Sequence, residues 1–166
     1  ILSVYKATKA LDPTRPVIDT SGNYHTQTDL YDVHDYEQDV DAFAAHYAPM
    51  EADGPVYDWC GRQHYGGQPY WVSEYGGILW DPHQEGGWGY GHGPESPEEY
   101  VQRFVGLTRV LMKNPKICGL CYTQLYDVEL EKNGIYTYNR QPKFTRAQME
   151  QMRQALCVPA AIEEAP

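Results

Sequence analysis

One carboxylate, Glu74, lies where a short run of strand-forming residues ends. Residues 70–72 (Tyr-Trp-Val) are typical of a buried strand, Pro69 is tolerated at its start, and the Gly76-Gly77 pair ends it in a turn. The carboxyl ends of strands are where α/β sheets and barrels place their chemistry, so Glu74 is a candidate acid, base or nucleophile. A solvated glutamate is the alternative, because strand ends often expose charges.

The elements that would position Glu74 alternate between buried runs and amphipathic patterns. Further strands are predicted at Pro16–Asp19, Leu30–His34 and Ile117–Gln124. Helices are predicted at Leu2–Ala10, from Asp39 to a stop at Pro49, from the Ser96–Glu99 capping box to Asn114, and from the Thr145–Gln148 capping box to about Leu156. This order predicts a parallel sheet with helices outside, either a small doubly wound sheet or about half of an eight-stranded barrel.

Polar side chains follow each of the other predicted strands. They are Asp19, Ser21 and Asn23 after the first, His34, Asp35 and Tyr36 after the second, and Gln124, Tyr126 and Asp127 after the fourth. Parallel strands bring these groups to one face, where carboxylates, phenols and tryptophans suit a sugar-binding cleft. Of the six histidines, His34 is the one expected in that cleft.

Composition excludes several other classes. The 166 residues carry a net charge of −10, which argues against nucleic acid or an anionic membrane as a partner. No apolar run approaches the roughly 20 residues of a membrane helix. The chain lacks a starting Met and is expected to be a piece of a longer protein. The 15 tyrosines suit either sugar stacking or a protein interface.

No cofactor or metal is expected from the motifs. The sequence contains neither a nucleotide-binding phosphate loop nor a G-x-S-x-G elbow, and its histidines lack ligand spacing. Cys118 and Cys121 lie on one predicted strand, three residues apart, and therefore point to opposite faces. Together with Cys60 and Cys157 they are interpreted as structural thiols.

Four segments resemble glycoside hydrolase family 2, the group of β-galactosidases, β-glucuronidases and β-mannosidases. In chain order they read ATKALDPTRPVIDTSG, DVHDYEQD, YWVSEYGG and YTQLYDVELEKNGIYTYNRQPK. They are similar to strands five to eight of that family's (β/α)8 catalytic domain. The resemblance implies an α/β fold that is half of a TIM barrel, with residues 1–158 as its C-terminal half and 159–166 as a frayed tail.

The resemblance also implies residue roles. Glu74 matches the family's catalytic nucleophile, which forms a glycosyl-enzyme intermediate with retention of configuration. Tyr36 matches a tyrosine that orients the nucleophile, and His34 lines the same cleft. The sugar-binding tryptophan of several members is replaced near Gln124, so Trp80 or Trp88 is the expected platform. Asp35, Gln124 and Tyr126, taken from the strand ends, complete the expected substrate-binding set.

Two departures from the family limit what this chain can do alone. The family's acid/base is a glutamate preceded by asparagine, and no such pair occurs here, so the isolated chain is expected to be inactive. The Asn-x-Lys of β-glucuronidases reads Glu131-Lys132-Asn133, which favours a β-galactosidase-like enzyme over one acting on glucuronides. Exposed edges of a half barrel predict self-association or pairing with a missing N-terminal half.

Two other functions stay open beside the retaining exo-β-glycosidase. The first is a non-catalytic carbohydrate-binding or structural module that uses the Trp/Tyr face without hydrolysis. The second, a small nucleotide-binding α/β domain, is disfavoured by the missing phosphate loop. An Asn-Glu pair upstream, spaced as in a barrel, would favour the enzyme over the binding module.

Overall fold

The computed structural model describes residues 1–22, 24–59, 61, 64–83 and 86–164. Helices and strands alternate along most of the chain. In order they are α1 (Leu2–Leu11), β1 (Tyr31–Asp35), α2 (Val40–Glu51), β2 (Tyr70–Gly76), α3 (Pro97–Met112), β3 (Ile117–Thr123), α4 (Arg146–Leu156) and α5 (Ala161–Glu164). Within the described residues, none of the helices has the length and apolar character needed to cross a membrane.

A parallel sheet forms the centre of the fold. Its strands lie in the order β1–β2–β3, and both neighbouring pairs run parallel. Helix α3 packs against both α2 and α4, and it also contacts β2 and β3. Val33, Val72 and Ile117 point from the three strands into the core that these helices cover. The predicted α/β fold with parallel strands is confirmed.

Tyrosines make up much of this core. Tyr47, Tyr70, Tyr75 and Tyr100 are all at most 1% exposed. Each hydroxyl has a partner: Tyr70 donates to the Tyr57 carbonyl at 2.8 Å, and Tyr75 lies 2.8 Å from the Thr108 hydroxyl. Burying a phenol costs little once its hydroxyl is bonded, so the tyrosine excess serves packing as well as any surface function.

The strand predicted at Pro16–Asp19 does not form. Its backbone bonds instead to the loop that precedes β1: the Val17 amide donates to Asp29 Oδ2, and the Val17 carbonyl accepts from the Asp29 amide, both at 2.9 Å. Asp29 also accepts from the Tyr5 hydroxyl at 2.6 Å and so ties α1 to the same loop. These bonds occupy the groups that a fourth strand would have used for pairing.

The helix ends follow the predicted chemistry with two corrections. Thr145 forms the complete capping box that was predicted for α4. At α3 the Ser96 hydroxyl accepts from the Glu99 amide, but the Glu99 carboxylate accepts from the Glu95 amide, one residue before the cap. Pro49 was predicted to end α2 but lies inside its last turn, where one missing N–H costs little because the helix continues only to Glu51.

A bulge in β2 sets the position of Glu74. Val33 pairs with Val72, but the next pair is His34 with Glu74, so Ser73 is an extra residue. In a regular strand with Ser73 paired, alternation would turn Glu74 to the same face as Val72, into the core beneath the helices. The bulge therefore brings Glu74 level with His34 on the opposite face of the sheet.

The cysteines and the tail complete the picture. Cys118, Cys121 and Cys157 are free thiols, and all three are exposed. Cys118 and Cys121 are exposed because β3 is an outer strand of the sheet. Cys60 lies outside the described residues. Residues 161–164 of the expected tail form the short helix α5.

Candidate functional site

The carboxylate of Glu74 has two partners at the end of the sheet, and both lie against one of its oxygens. The Tyr36 hydroxyl donates to Glu74 Oε2. His34 Nδ1 lies 3.2 Å from the same oxygen. Both partners follow the alternation of β1, which points residues 34 and 36 to one face. The sequence prediction that Glu74, Tyr36 and His34 come together agrees with this geometry.

The other carboxylate oxygen, Oε1, accepts no hydrogen bond from the residues that the structure describes. The Glu74 side chain is 35% exposed, so the carboxylate can be reached from solvent. A carboxylate held at one oxygen and free at the other has the arrangement of an oriented nucleophile or base. We call Glu74, Tyr36 and His34 the glutamate cluster.

Tyr36 is fixed by stacking. Its ring lies parallel to that of Tyr90, with centroids 3.5 Å apart and planes 4° apart. Gly77 permits this approach, because a Cβ there would lie 2.4 Å from Tyr90 and 2.8 Å from Tyr36. Burial raises the pKa of Tyr36 above its ordinary value, and the hydrogen bond to Glu74 raises it further. Tyr36 therefore remains a protonated donor to Glu74 throughout the neutral range.

His34 is held from its other nitrogen. The Ser21 hydroxyl lies 3.1 Å from His34 Nε2. Gly22, at φ +62°, lies flat against the ring, and a Cβ on it would come within 2.7 Å of His34 Cδ2. When Ser21 donates to Nε2, the proton of a neutral imidazole is on Nδ1, the nitrogen that lies against Glu74 Oε2. Ser21 was expected at this face, whereas Asn23 lies outside the described residues.

A buried histidine between two carboxylates lies behind the cluster. His25 Nδ1 is 2.7 Å from Asp19 Oδ1, and His25 Nε2 is 3.0 Å from Asp32 Oδ1. The other oxygen of Asp32 accepts from the Gly22 amide at 2.9 Å and from the Ser73 hydroxyl at 2.5 Å. We call Asp19, His25 and Asp32 the histidine clamp. It connects the loop that holds His34 to the bulged residue beside Glu74.

The clamp carries a shifted titration. Burial alone lowers the pKa of His25, but the bonds to Asp32 and Asp19 outweigh it and raise this pKa to about 9. The same bonds hold the pKa values of Asp19 and Asp32 below their ordinary range, although burial opposes this. Sequence reasoning missed the clamp. The spacing 32, 34, 36 on a strand was the available signal that Asp32 shares a face with His34 and Tyr36.

The remaining predicted binding residues lie elsewhere. Asp35 points to the opposite face of β1 and is 2% exposed, with its Oδ2 accepting from Tyr47 at 3.0 Å and lying 2.7 Å from His46 Nδ1. Trp80 packs on Phe144, at 6.2 Å between ring centroids, and thus belongs to the core edge. Trp88 is 50% exposed.

Gln124 and Tyr126 follow β3 but have partners of their own. The Gln124 amide donates to Asn133 Oδ1 at 2.7 Å, and the Arg140 guanidinium lies 5.4 Å from the Tyr126 ring centroid. The Thr123 side chain at the end of β3 does reach Tyr36, and it opposes the rise in the pKa of that phenol. Among the described residues, no group of three or more His, Cys, Asp or Glu side chains has the geometry to hold a metal ion.

Comparison with solved structures identifies the fold. A β-glucuronidase from Faecalibacterium prausnitzii matches 96% of this chain at 19% identity and TM-score 0.62, over 28% of its own length. A family 2 β-galacturonidase from Eisenbergiella tayi, bound to galacturonate, matches 96% at 17% identity and TM-score 0.63, over 30% of its length. The Bifidobacterium dentium β-glucuronidase matches 95% at 23% identity and TM-score 0.59, over 27%.

The chain has the fold of part of a glycosidase (β/α)8 barrel. It spans less than a third of the length of these enzymes. No protein-family model matches the sequence, and no curated protein matches it. At identities below 25% the likeness is one of backbone architecture, so the chemistry must be argued from the glutamate cluster itself.

Proposed function

We propose that this chain is the C-terminal half, residues 1–158, of the catalytic barrel of a retaining exo-β-glycosidase of glycoside hydrolase family 2, with Glu74 as its nucleophile. The observation that supports this most directly is the convergence of Tyr36 and His34 on a single oxygen of Glu74. That arrangement orients the carboxylate and leaves Oε1 to form a bond. The barrel fold shared with glycosidases adds independent support.

The reaction proceeds in two displacements. Glu74 Oε1 attacks the anomeric carbon while the bond from that carbon to the leaving-group oxygen breaks, and the leaving oxygen takes a proton from the acid/base. Water, deprotonated by the same acid/base, then cleaves the glycosyl–Glu74 ester with retention of configuration. The Tyr36 hydroxyl and His34 Nδ1, both against Oε2, disperse the carboxylate charge that returns when the ester is cleaved.

The acid/base lies outside this chain. A retaining enzyme needs a second carboxyl about 5 to 5.5 Å from the nucleophile. Asp32 accepts a hydrogen bond from Ser73, the neighbour of Glu74. Its two oxygens are already occupied by His25 and the Gly22 amide, so it does not serve as that second carboxyl. The isolated chain is therefore inactive. The missing half of the barrel, or a second copy, pairs with the outer strands β1 and β3.

A neutral sugar of the β-galactoside type is the proposed substrate. A uronic acid requires a cation for its carboxylate, and the lysines nearest the end of β3 are committed elsewhere. Lys143 is 1% exposed and bonds Asp127 at 2.6 Å. The Lys132 amide donates to the Trp88 carbonyl and the Lys132 carbonyl accepts from the Trp80 amide, each at 2.8 Å, and the Lys132 side chain packs beside Gly87. Since the solved structures that share the fold include glucuronidases and a galacturonidase, a uronide is the substrate against which the neutral sugar must be tested.

The test is a panel of nitrophenyl β-glycosides, galactoside and glucuronide included, on the full-length polypeptide. Glu74→Gln should abolish turnover with the fold intact, and a 2-fluoro glycoside should add its sugar mass to the peptide containing Glu74. Tyr36→Phe should slow turnover by about 10- to 100-fold, because the carboxylate remains but loses one orienting bond. Wild-type rates in Glu74→Gln would overturn the assignment.

A non-catalytic carbohydrate-binding module is the second candidate. It is favoured by the single observation that this chain lacks an Asn-Glu pair. Under this alternative the full-length polypeptide binds galactosides in calorimetry, Glu74→Gln weakens that binding, and no glycoside in the panel is turned over. An upstream Asn-Glu at the spacing of a barrel strand would remove this candidate.

A further inference from the structure

A groove of 1210 Å³ adjoins the glutamate cluster beside β1. His34 and Tyr36 line one end of it, so the groove and the cluster share two side chains. The rest of its wall comes from the start of α2, the Tyr57–Trp59 segment, and the first turns of α3. Because His34 and Tyr36 also contact Glu74 Oε2, the groove lies within one side chain of the carboxylate.

Flat aromatic surfaces line the groove. Trp59 is 62% exposed. Tyr57 stacks on His46 with ring centroids 4.3 Å apart and planes 6° apart, and Tyr90 backs Tyr36 at the shared end. Such surfaces bind the face of a sugar or an aromatic ring and have little affinity for a long alkyl chain.

The charge of the groove is negative. Asp41 is exposed on the first turn of α2, and no ion pair to it is found among the described residues. The backbone amides of Gln38 and Asp39 fix the Glu37 carboxylate at 2.8 and 2.9 Å. Among the described residues that line the groove, an anion would have to displace existing bonds to reach the guanidinium of Arg103.

The arginine of the groove wall is already committed. The Arg103 guanidinium bonds Glu99 Oε1 and the His92 carbonyl, each at 2.7 Å, and its side chain is 15% exposed. Its charge is thus balanced by Glu99, and the carboxylates of Glu37, Asp39 and Asp41 set the local potential. A cationic or uncharged ring is favoured there, and a carboxylate is repelled.

We propose that this groove is the subsite for the leaving group, and that it selects a flat, uncharged or cationic leaving group against an anionic one. This inference rests on the proposed function, since the groove acts as a leaving-group subsite only if Glu74 attacks a sugar at its end. It assigns a role to Glu37, Asp41 and Trp59 that the chemistry at Glu74 does not require.

The test uses the full-length polypeptide and two aryl β-glycosides of the sugar it hydrolyses, one with a para-trimethylammonium group and one with a para-carboxylate. The measured quantity is kcat/KM for the trimethylammonium substrate divided by kcat/KM for the carboxylate substrate. Comparing this ratio between wild type and variants removes the difference in intrinsic leaving-group reactivity. The variant Glu37→Gln/Asp41→Asn should lower the ratio about five- to tenfold at low salt, and less at about 0.5 M salt. Trp59→Ala should raise KM for both substrates.

The matched control is Asp53→Asn, an exposed carboxylate whose partner is Lys116, away from the groove. It removes one negative charge from the same chain and should leave the ratio unchanged. An independent binding readout is the Trp59 indole N–H signal in NMR, which phenyltrimethylammonium should shift and benzoate should not.

The outcomes separate the two proposals. Turnover that survives Glu74→Gln counts against the proposed function. Loss of turnover in Glu74→Gln together with an unchanged ratio in Glu37→Gln/Asp41→Asn overturns only the leaving-group subsite. Equal shifts of the Trp59 signal by phenyltrimethylammonium and benzoate overturn the charge selection even if no glycoside in the panel is turned over.

Discussion

The histidine clamp makes the free energy of unfolding depend on pH in the alkaline range. His25 is 5% exposed between Asp19 and Asp32, and its pKa rises from an ordinary 6.5 to about 9 in the folded chain. The folded state therefore retains a proton that the unfolded state loses. The stabilisation is complete below pH 6.5, the ordinary value, and disappears as the pH rises through about 9.

The size of the effect follows from the two pKa values. At pH 7 the linkage amounts to about 2–3 kcal/mol, and about 2 kcal/mol of it is lost between pH 7 and pH 9. Over that range the slope approaches one proton, or about 1.4 kcal/mol per pH unit. Only one proton is counted, because the depressed pKa values of Asp19 and Asp32 report the same interaction.

The assay compares urea unfolding of wild type and His25→Gln at several pH values from 7 to 9.5. His83→Gln is the control, since His83 is exposed and lies on the loop after β2. The difference in unfolding free energy between wild type and His25→Gln should shrink by about 2 kcal/mol across this range, while the His83→Gln difference stays constant. NMR titration of the His25 ring should give a midpoint near 9. A midpoint near 6.5, or a pH-independent difference, would refute the reasoning.

Two further substitutions test the packing around the site. Gly22→Ala should cut kcat about tenfold, because its Cβ would meet the His34 ring at 2.7 Å. Gly61→Ala has a similar positive φ, but no described residue lies within 4 Å of its Cβ, so it should leave kcat unchanged. Equal losses in both would point to backbone strain alone. Lys143→Met should lower stability by about 3–5 kcal/mol in thermal or urea unfolding, because it leaves Asp127 buried and unpaired. The double variant Lys143→Met/Asp127→Leu should recover most of that loss. If Lys143→Met alone costs under about 1 kcal/mol, the ion pair does not have this role.

Local sequence signals were sufficient for most of the secondary structure. The strand ending near Glu74 and the capping box at Thr145 follow from residue type and spacing, and both form. The strand at Pro16–Asp19 failed because its pattern was right for burial, but the Asp29 side chain and backbone took its hydrogen bonds. A competing partner 12 residues away leaves no mark in a short window.

The candidate site was predictable only in part, for a different physical reason. His34 and Tyr36 share a face by simple alternation, so their meeting with Glu74 could be expected. Asp35, one residue between them, must face the other way and enters the core beside Tyr47. Trp80 is a large aromatic whose ring packs under Phe144, and composition alone does not separate such a core tryptophan from an exposed one such as Trp88.

The extra residue at Ser73 also determines how relatives of this chain can be recognised. It shifts the phase of β2, so that the core-facing positions before Ser73 are counted from Val72 and those after it from Tyr75. An alignment of letters can slide Glu74 by one place at little penalty, although that slip would exchange the two faces of the sheet. The pairing of Val33 with Val72 and of His34 with Glu74 in the structure permits no such slip. Backbone geometry around the bulge is thus a more faithful marker of this site than the residues of the strand.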